Sequence, residues 1–316
     1  RFHGRVSLRK AIALSLNTVT VRLMLELGAD YVRRYAESLG IELPKVEDYS
    51  FALGSYGVRP VELANAYAVF ASGGIYAKPY LIGEVRGADG HVIARTGLSE
   101  RVLIDMVSAD RAAQEGSPGS DRIELKTVAH DRRSFKPTPT DLADLFGFDR
   151  IEARRVISPQ IAYLTTSLLE SVVREGTGMR ALALGKPCAG KTGTTNDSRD
   201  AWFIGYTPDI LCAVWVGFDD ARPLGSRETG AKAALPIWLR FMKAATKGKP
   251  AKGFPIPPGI VFARVDPETG LLASQDQPDA YVEAFVEGTA PAEFAPGVLP
   301  AGLPQDISSL DDLSGL

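Results

Sequence analysis

The chain has 316 residues, which is enough for one large domain or two smaller ones. Hydrophobic residues make up 45% and charged residues 23%, as in an ordinary globular protein, and the net charge of −2 gives no basic excess for nucleic-acid binding. No apolar stretch reaches the about 20 residues of a membrane-spanning helix. The two cysteines and three histidines are scattered, so no disulfide framework or zinc site is expected.

The first part of the chain has the apolar periodicity of helices. Ser7 is a candidate N-cap for a first helix that extends to Leu14. The segment Ser15-Leu16-Asn17 interrupts the pattern, and a second helix follows from about Thr18 to Leu27. The interruption therefore predicts a turn between two helices.

Two further helices are predicted over Asp30–Leu39 and Pro60–Ala71, the first ended by a glycine and the second begun by its proline. Residues 80–95 predict a β-hairpin that turns at Asp89-Gly90. The turn-rich, polar stretch over residues 96–150 predicts a surface insertion.

The second half of the chain predicts a sheet between two helices. Ser158-Pro159 begins a helix that extends to Arg174. Three strand-like runs and a long apolar-faced helix follow, over Cys188–Thr195, Asp200–Tyr206, Ile210–Phe218 and Leu235–Ala245.

This order of elements predicts an α+β fold in which helices flank an antiparallel sheet. We expect residues 1–248 to form one domain and residues 249–316 to form a C-terminal extension. The extension contains a weak strand near Val261–Val265 and ends in a polar, partly disordered stretch.

A lysine-threonine-glycine sequence ends the first of the three strand-like runs, within Ala189-Gly190-Lys191-Thr192-Gly193-Thr194-Thr195. It resembles the Lys-Thr-Gly signature shared by serine penicillin-binding proteins and class A β-lactamases. Upstream, Ser15-Leu16-Asn17 matches a second signature, Ser-x-Asn, in the order that the family requires. Each tripeptide alone is weak evidence, because such sequences are usually caps, turns or strand ends.

Longer runs strengthen the resemblance and narrow it to the class A, bifunctional penicillin-binding proteins. The similarity covers roughly residues 4–245, apart from the predicted insertion. It rests on the runs Ala189–Pro208, Val214–Asp220, Ala52–Gly54, Leu63–Ala71, Glu228–Gly230 and Pro236–Trp238. The resemblance implies the penicillin-binding, β-lactamase-like transpeptidase fold, of which this chain is a partial domain.

The resemblance also implies a substrate, a peptidoglycan stem peptide that ends in D-Ala-D-Ala with a free carboxylate. Lys191 would attract that carboxylate by about 4 kcal/mol before desolvation, for charges ~4 Å apart at an effective dielectric constant of ~20. The hydroxyls of Thr192 and Thr194 would hydrogen-bond the same group, and Gly193 would leave room for the substrate backbone. The backbone N–H of Thr194 would form half of an oxyanion hole.

The implied catalytic residues are Ser15, Asn17 and Lys191. Ser15 would bridge to Lys191 and pass a proton to the leaving amine. Asn17 would hydrogen-bond the lysine of the nucleophile motif and a substrate amide. Positions i and i+2 of a helix point about 200° apart, so both side chains can face one cleft only if this segment is a turn.

The nucleophile of the family lies in a Ser-x-x-Lys motif, and Ser7-Leu8-Arg9-Lys10 has that form. It stands only eight residues before Ser15, which leaves no room for the helices that separate the two motifs in the family. We therefore interpret Ser7 as a helix cap. We expect the true motif before residue 1, in a parent protein that also carries a glycosyltransferase domain and a membrane anchor.

The implied activity of the parent is a D-Ala-D-Ala transpeptidase that cross-links stem peptides through an acyl-serine intermediate and binds penicillin. The expected partners are stem peptides, a lipid-linked precursor, β-lactam antibiotics and, through the anchor, the periplasmic face of the bacterial inner membrane. No nucleic-acid partner is expected, and the resemblance implies no metal or organic cofactor. Two alternatives stay open: a carboxypeptidase or β-lactamase on the same fold, and a chain that is not catalytic as it stands.

Other conspicuous residues have simpler interpretations. The pair Asp219-Asp220 is typical of solvated turn carboxylates rather than of a metal site. The tryptophans Trp202, Trp215 and Trp238 are expected in the core, and both cysteines are expected to be buried free thiols.

Overall fold

The computed structural model describes residues 4–43, 49–80, 84–86, 89–90, 92–95, 122–124 and 152–296. Most of the predicted insertion at 96–150 and the polar end of the chain lie outside the described residues. Within the described ranges, no helix has both the length and the apolar character needed to cross a membrane.

The helices begin and end close to the positions that the sequence predicts. They are α1 (Leu8–Leu14), α2 (Asn17–Leu27), α3 (Ala29–Ser38), α4 (Pro60–Ala71), α5 (Pro159–Arg174) and α6 (Leu235–Ala245). Short 3₁₀ turns cover Tyr49–Leu53 and Met179–Leu184, and a π-helical turn over Gly230–Ala234 leads directly into α6.

The strands are β1 (Ile75–Ala77), β2 (Glu84–Arg86), β3 (Val92–Arg95), β4 (Arg122–Glu124), β5 (Glu152–Arg155), β6 (Ala189–Thr194), β7 (Asp200–Tyr206), β8 (Leu211–Gly217), β9 (Ile260–Val265) and β10 (Tyr281–Val286). Strands β6, β7 and β8 form an antiparallel sheet in that order, and β1, β5 and β4 form a second one. Strands β2 and β3 pair as the predicted hairpin. Strands β9 and β10 pair as a C-terminal sheet, of which β10 has no counterpart among the predicted strands.

One face of the β6–β7–β8 sheet packs against α6. The ring centroids of Phe203 and Trp238 lie 5.0 Å apart, and both side chains are fully buried. The indole Nε1 of Trp238 donates a hydrogen bond of 3.0 Å to the carbonyl oxygen of Gly205. The core position predicted for Trp238 is therefore confirmed.

The opposite face of the sheet packs against α5, where Ala189 and Tyr206 contact Leu169 and Val172. Successive side chains of a strand point to opposite faces, so Lys191 shares this face with Ala189. Trp215 also lies on this side but is 39% exposed, so the prediction that it is a core residue is wrong. Its Nε1 instead donates to the Asp200 carboxylate at the surface, at 2.8 Å.

The N-terminal helix α1 packs on α5. Ser7 precedes α1 in extended conformation, and its hydroxyl accepts a hydrogen bond of 3.2 Å from the backbone N–H of Lys10. This is the geometry of an N-cap, which satisfies an amide that the helix itself leaves without a partner. The interpretation of Ser7 as a helix cap is confirmed.

We predict that Trp238→Ala lowers the free energy of unfolding by about 3–5 kcal/mol, because it opens a cavity between α6 and the sheet and leaves the Gly205 carbonyl without its donor. The matched control is Ile237→Ala, the adjacent residue, which is 52% exposed and should change stability by no more than about 0.5 kcal/mol. Urea unfolding of both variants measures the difference. Equal losses would contradict this assignment of the core.

Candidate active site

The segment Ser15-Leu16-Asn17 is a turn between α1 and α2, as the sequence predicts. Ser15 adopts the left-handed conformation with φ 53° and ψ 53°, Leu16 is extended, and Asn17 is the first residue of α2. The amide of Leu16 donates to the carbonyl oxygen of Ala11 at 2.9 Å, which closes the end of α1. A positive φ at a residue other than glycine costs about 1–3 kcal/mol and is a frequent feature of functional sites. The side chains of Ser15 and Asn17 are exposed there.

Lys191 contacts this turn across 176 residues of sequence. Its Nζ donates one hydrogen bond to the hydroxyl of Ser15 and another, of 2.9 Å, to the carbonyl oxygen of Thr192. Burial lowers the pKa of Lys191 to about 8, because removal from water disfavours the charged ammonium. Near neutral pH this amine can therefore both hold a positive charge and exchange a proton with the neighbouring hydroxyl.

The two threonines lie on the other face of β6, since side chains alternate along a strand. The hydroxyl of Thr192 is 2.6 Å from the hydroxyl of Thr177, in the loop after α5. The hydroxyl of Thr194 accepts a hydrogen bond of 3.0 Å from the backbone N–H of Gly230. A ligand must therefore lie along the edge of β6 to reach Lys191 and the threonines together.

The backbone of β6 turns donors and acceptors toward that edge. Among the described strands, β6 lies at the edge of its sheet. The amide of Thr195 donates to the carbonyl oxygen of Asp200, so these two residues form a hydrogen-bonded pair. Along an antiparallel ladder such pairs alternate with pairs that share no hydrogen bond. Thr194 opposite Ala201 is consequently a non-hydrogen-bonded pair, so the Thr194 N–H points away from β7. Such an outward N–H on an edge strand has the orientation of an oxyanion-hole donor.

Gly193 lies between the two threonines and has little space beside it. A methyl group added there would be 3.1 Å from the side chain of Trp202 on β7. The absence of a side chain keeps this part of the edge flat, which leaves the strand backbone open to an extended ligand.

The loop after α5 contributes residues that the motif search does not identify. The Thr177 amide donates to the carbonyl oxygen of Ala13 at 3.1 Å, so one residue joins α1 to β6 through its backbone and its hydroxyl. A Cβ on Gly176 would lie 2.2 Å from the same carbonyl oxygen. The sequence signal was available: glycines on both sides of a threonine, directly after a predicted helix, indicate a close approach of two backbones.

Ser7 and the two cysteines are poorly placed to act as the nucleophile. Ser7 and Ser15 lie at opposite ends of a seven-residue helix, which puts them about 12 Å apart along its axis. Cys188 is buried, and burial raises the pKa of its thiol to about 12, which keeps it protonated. Cys212 is a free thiol that is only half-buried, so it is less enclosed than the sequence predicts.

Two protein-family models match the chain. The model described as penicillin binding protein transpeptidase domain matches residues 1–120 and 147–243. The model described as penicillin-binding protein 1A, C-terminal domain, matches residues 256–296, which include the C-terminal sheet.

Curated relatives that match the chain are named penicillin-binding protein 1A. The chain is 41% identical to penicillin-binding protein 1A of Pseudomonas aeruginosa over 330 residues, which covers 99% of this chain and 38% of the relative. It is 33% identical to penicillin-binding protein 1A of Vibrio cholerae, over 93% of this chain and 35% of the relative. The chain thus spans less than half the length of the curated relatives that it matches.

Solved structures show the same fold. The crystal structure of penicillin-binding protein 1A from Haemophilus influenzae matches with a TM-score of 0.72 and 28% identity, over 93% of this chain and 42% of that one. The PonA1 protein from Mycobacterium tuberculosis in complex with penicillin V matches with a TM-score of 0.54 and 26% identity, over 79% of this chain and 59% of that one. The chain therefore has the α+β fold of penicillin-binding transpeptidase domains.

We predict that Gly176→Ala lowers the free energy of unfolding by about 1–3 kcal/mol, because the new methyl group must push the end of α1 away from the loop. Gly253→Ala is the control, since a Cβ there meets nothing within 4 Å. Thermal and urea unfolding measure both variants. If the two alanines have the same effect, the loop and α1 are not in close contact.

Proposed function

The chain belongs to the family of penicillin-binding protein transpeptidase domains, and on that premise we propose that it forms part of a D-Ala-D-Ala transpeptidase that cross-links peptidoglycan stem peptides. The observation that carries the proposal is the contact between Lys191 and Ser15 beside the edge of β6. Two signature motifs 176 residues apart meet there in one polar site.

The edge of β6 binds the carboxylate end of the stem peptide. The Lys191 ammonium attracts the terminal carboxylate, and the exposed Thr194 hydroxyl donates to it while accepting from Gly230. The Thr192 hydroxyl, which contacts Thr177, lies on the same face and adds a second donor. Gly193 leaves room for the peptide backbone beside the strand.

The Thr194 N–H stabilises the negative charge that develops on the carbonyl oxygen under attack. In acyl-transfer enzymes, one such donor lowers the free energy of the transition state by about 2.7–4 kcal/mol. Its contribution depends on a rigid strand, because the N–H must already point at the oxyanion before the charge forms.

Ser15 connects Lys191 to the leaving group. When the scissile C–N bond breaks, the amine of the terminal D-alanine takes a proton from the Ser15 hydroxyl, and Lys191 replaces that proton. The lowered pKa of Lys191 suits this role, since an amine with a pKa near 8 donates and regains a proton easily at neutral pH. Asn17 hydrogen-bonds the lysine of the nucleophile motif and a substrate amide.

The attacking serine comes from a Ser-x-x-Lys motif elsewhere in the whole protein. Its Oγ attacks the penultimate D-alanine carbonyl while the lysine of that motif takes the hydroxyl proton; the C–N bond breaks, and D-alanine leaves with the proton from Ser15. An amine of a neighbouring stem peptide then attacks the ester and loses a proton through Ser15 to Lys191, the ester C–O bond breaks, and the serine regains its proton from the lysine of its motif. Penicillin reacts at its strained amide and stays bound as an acyl-serine. Ser7 and Ser15 lie at opposite ends of α1, and this separation supports the assignment of the attacking serine to another motif.

The whole protein is a class A enzyme of the bacterial cell envelope, with a glycosyltransferase domain and an anchor that holds the site at the periplasmic face of the inner membrane. It acts on stem peptides and the lipid-linked precursor, and it binds β-lactams. Within this chain, residues 1–248 form the transpeptidase part and residues 249–316 the C-terminal extension. The penicillin-binding protein 1A relatives and the match over residues 256–296 support this assignment.

A fluorescent penicillin tests the proposal. We expect the whole protein to be labelled at the serine of its Ser-x-x-Lys motif and the isolated chain to stay unlabelled. In the whole protein, Ser15→Ala should slow acylation about 10²–10⁴-fold, because it removes the proton relay. Ser7→Ala, which removes only the helix cap, is the comparison variant and should slow acylation less than about tenfold.

Two results would count against this reading. Stable labelling of the isolated chain that disappears in Ser7→Ala would make Ser7 the nucleophile. Rapid release of the label as hydrolysed penicillin would favour a β-lactamase, the alternative on the same fold.

The rate of penicillin acylation should also depend on the ionisation of Lys191. Below about pH 8 the ammonium is present and attracts the ligand carboxylate; above it the amine is neutral and the attraction is lost. The second-order acylation constant should therefore fall by up to about tenfold per pH unit above pH 8. Lys191→Arg should lack this decline, since a guanidinium stays charged throughout the range. Identical pH profiles for the wild type and Lys191→Arg would contradict the role of Lys191 as the group that attracts the ligand carboxylate.

A further inference from the structure

Arg9 on α1 joins three parts of the chain that are far apart in sequence. Its guanidinium forms a two-pronged ion pair with the Glu283 carboxylate on β10, with Nε 2.7 Å from Oε2 and Nη2 bonded to Oε1. Nη1 donates to the Ser167 carbonyl oxygen at 2.8 Å and to the Ser171 hydroxyl at 2.6 Å, and Nη2 donates to the Ser167 hydroxyl at 2.9 Å. All five N–H donors of the guanidinium are thus used.

The pair is well shielded from water. The side chains of Arg9 and Glu283 are 13% and 16% exposed. Ion pairs at the surface contribute little to structure, whereas a shielded, two-pronged arginine–carboxylate pair holds both partners in one geometry. Removal of one partner leaves the other charge without compensation, so the geometry depends on both.

Helix α1 depends on such contacts for its position. It has seven residues, which is too short for a stable isolated helix, and its buried side chains are the small ones of Ala11 and Ala13. Arg9 holds its beginning, and the Thr177 amide holds its end through the Ala13 carbonyl oxygen. Ser15 follows directly, so any shift of α1 moves the hydroxyl that contacts Lys191.

The C-terminal sheet (β9 and β10) is itself docked on α5. Gln160, at the start of α5, donates to the Pro258 carbonyl oxygen at 2.8 Å, and Glu283 lies within the paired part of β10 opposite Ala263. The carboxylate that binds Arg9 is therefore presented by a paired strand that is fixed on the same helix as α1.

We propose that Glu283 is a positioning residue for the transpeptidase site: through Arg9 it holds α1 so that Ser15 meets Lys191. The C-terminal sheet then serves the active site of the neighbouring part of the chain, 274 residues from Arg9 in sequence. The catalytic consequence rests on the proposed function, whereas the mechanical coupling between Glu283 and Ser15 does not.

Amide hydrogen exchange on the chain itself tests the coupling. Glu283→Gln keeps the shape of the side chain and removes its charge. We expect the amides of Ser15, Leu16 and Thr177 to exchange about tenfold faster or more in this variant, because α1 detaches more often. Amides in β7 and β8 should change less than about twofold. Glu287→Gln, an exposed carboxylate directly after β10, is the matched control and should behave as the wild type.

Acylation of the whole protein by a fluorescent penicillin tests the consequence. Glu283→Gln should lower the first-order acylation constant about tenfold with little change in the concentration of half-saturation, since the carboxylate-binding strand stays intact. Glu283→Asp, which keeps the charge, should recover part of the loss. A purely structural role would instead lower the amount of folded protein and leave the rate per folded molecule unchanged.

The outcomes separate the two proposals. Equal exchange in Glu283→Gln and Glu287→Gln, or faster exchange spread evenly over β6, β7 and β8, overturns the positioning role. Failure of the wild-type whole protein to react with penicillin overturns the proposed function, while the exchange experiment still decides the coupling. Faster exchange confined to α1 and the Thr177 loop, together with slower acylation, supports both.

Discussion

The one-sided pairing of β6 with β7 is the constraint on which the site depends. Because β6 has a partner on one side only among the described strands, every second amide and carbonyl of its backbone points out of the sheet. The same pleat sends Lys191 toward the turn after α1 and the two threonines to the other face, where Thr192 contacts Thr177 and Thr194 contacts Gly230. One strand therefore presents a cation, hydroxyls and an N–H donor along a single edge, and a slip of one residue in the pairing would exchange their faces.

Burial of Lys191 gives the site its chemistry at a cost in stability. Taking the ammonium out of water disfavours the charged form, and its contacts are a hydroxyl and a carbonyl oxygen rather than a carboxylate. The packing of the sheet against α5 and α6 offsets that cost. The result is an amine that can attract an anion and exchange a proton at similar pH, which a fully exposed lysine with its ordinary pKa cannot do.

Ser15, which contacts Lys191, directly follows a helix that would not be stable in isolation. With seven residues and mainly alanine in its buried face, α1 contributes little hydrophobic stabilisation. Its position is set by polar contacts at both ends, from Thr177 in the loop after α5 and from Glu283 in the C-terminal sheet. Small residues such as Gly176 permit the close approach. The site thus joins segments from the beginning, middle and end of the chain.

The sequence by itself determined the helices, most of the strands, the family and the turn at Ser15-Leu16-Asn17, because periodicity, caps and motifs are local patterns that a short window contains. The helical pattern after Ser7 also identified it as a cap, and its spacing from Ser15 excluded it as the nucleophile. The two motifs also implied that Ser15 bridges to Lys191, and the structure shows that contact. Only the tertiary structure decided that Thr177 joins α1 to β6 and that Glu283 holds Arg9. These contacts are made by the packing of whole elements. The glycines beside Thr177 indicate a close approach of two backbones, but no local pattern identifies α1 as the partner of Thr177 or Glu283 as the partner of Arg9.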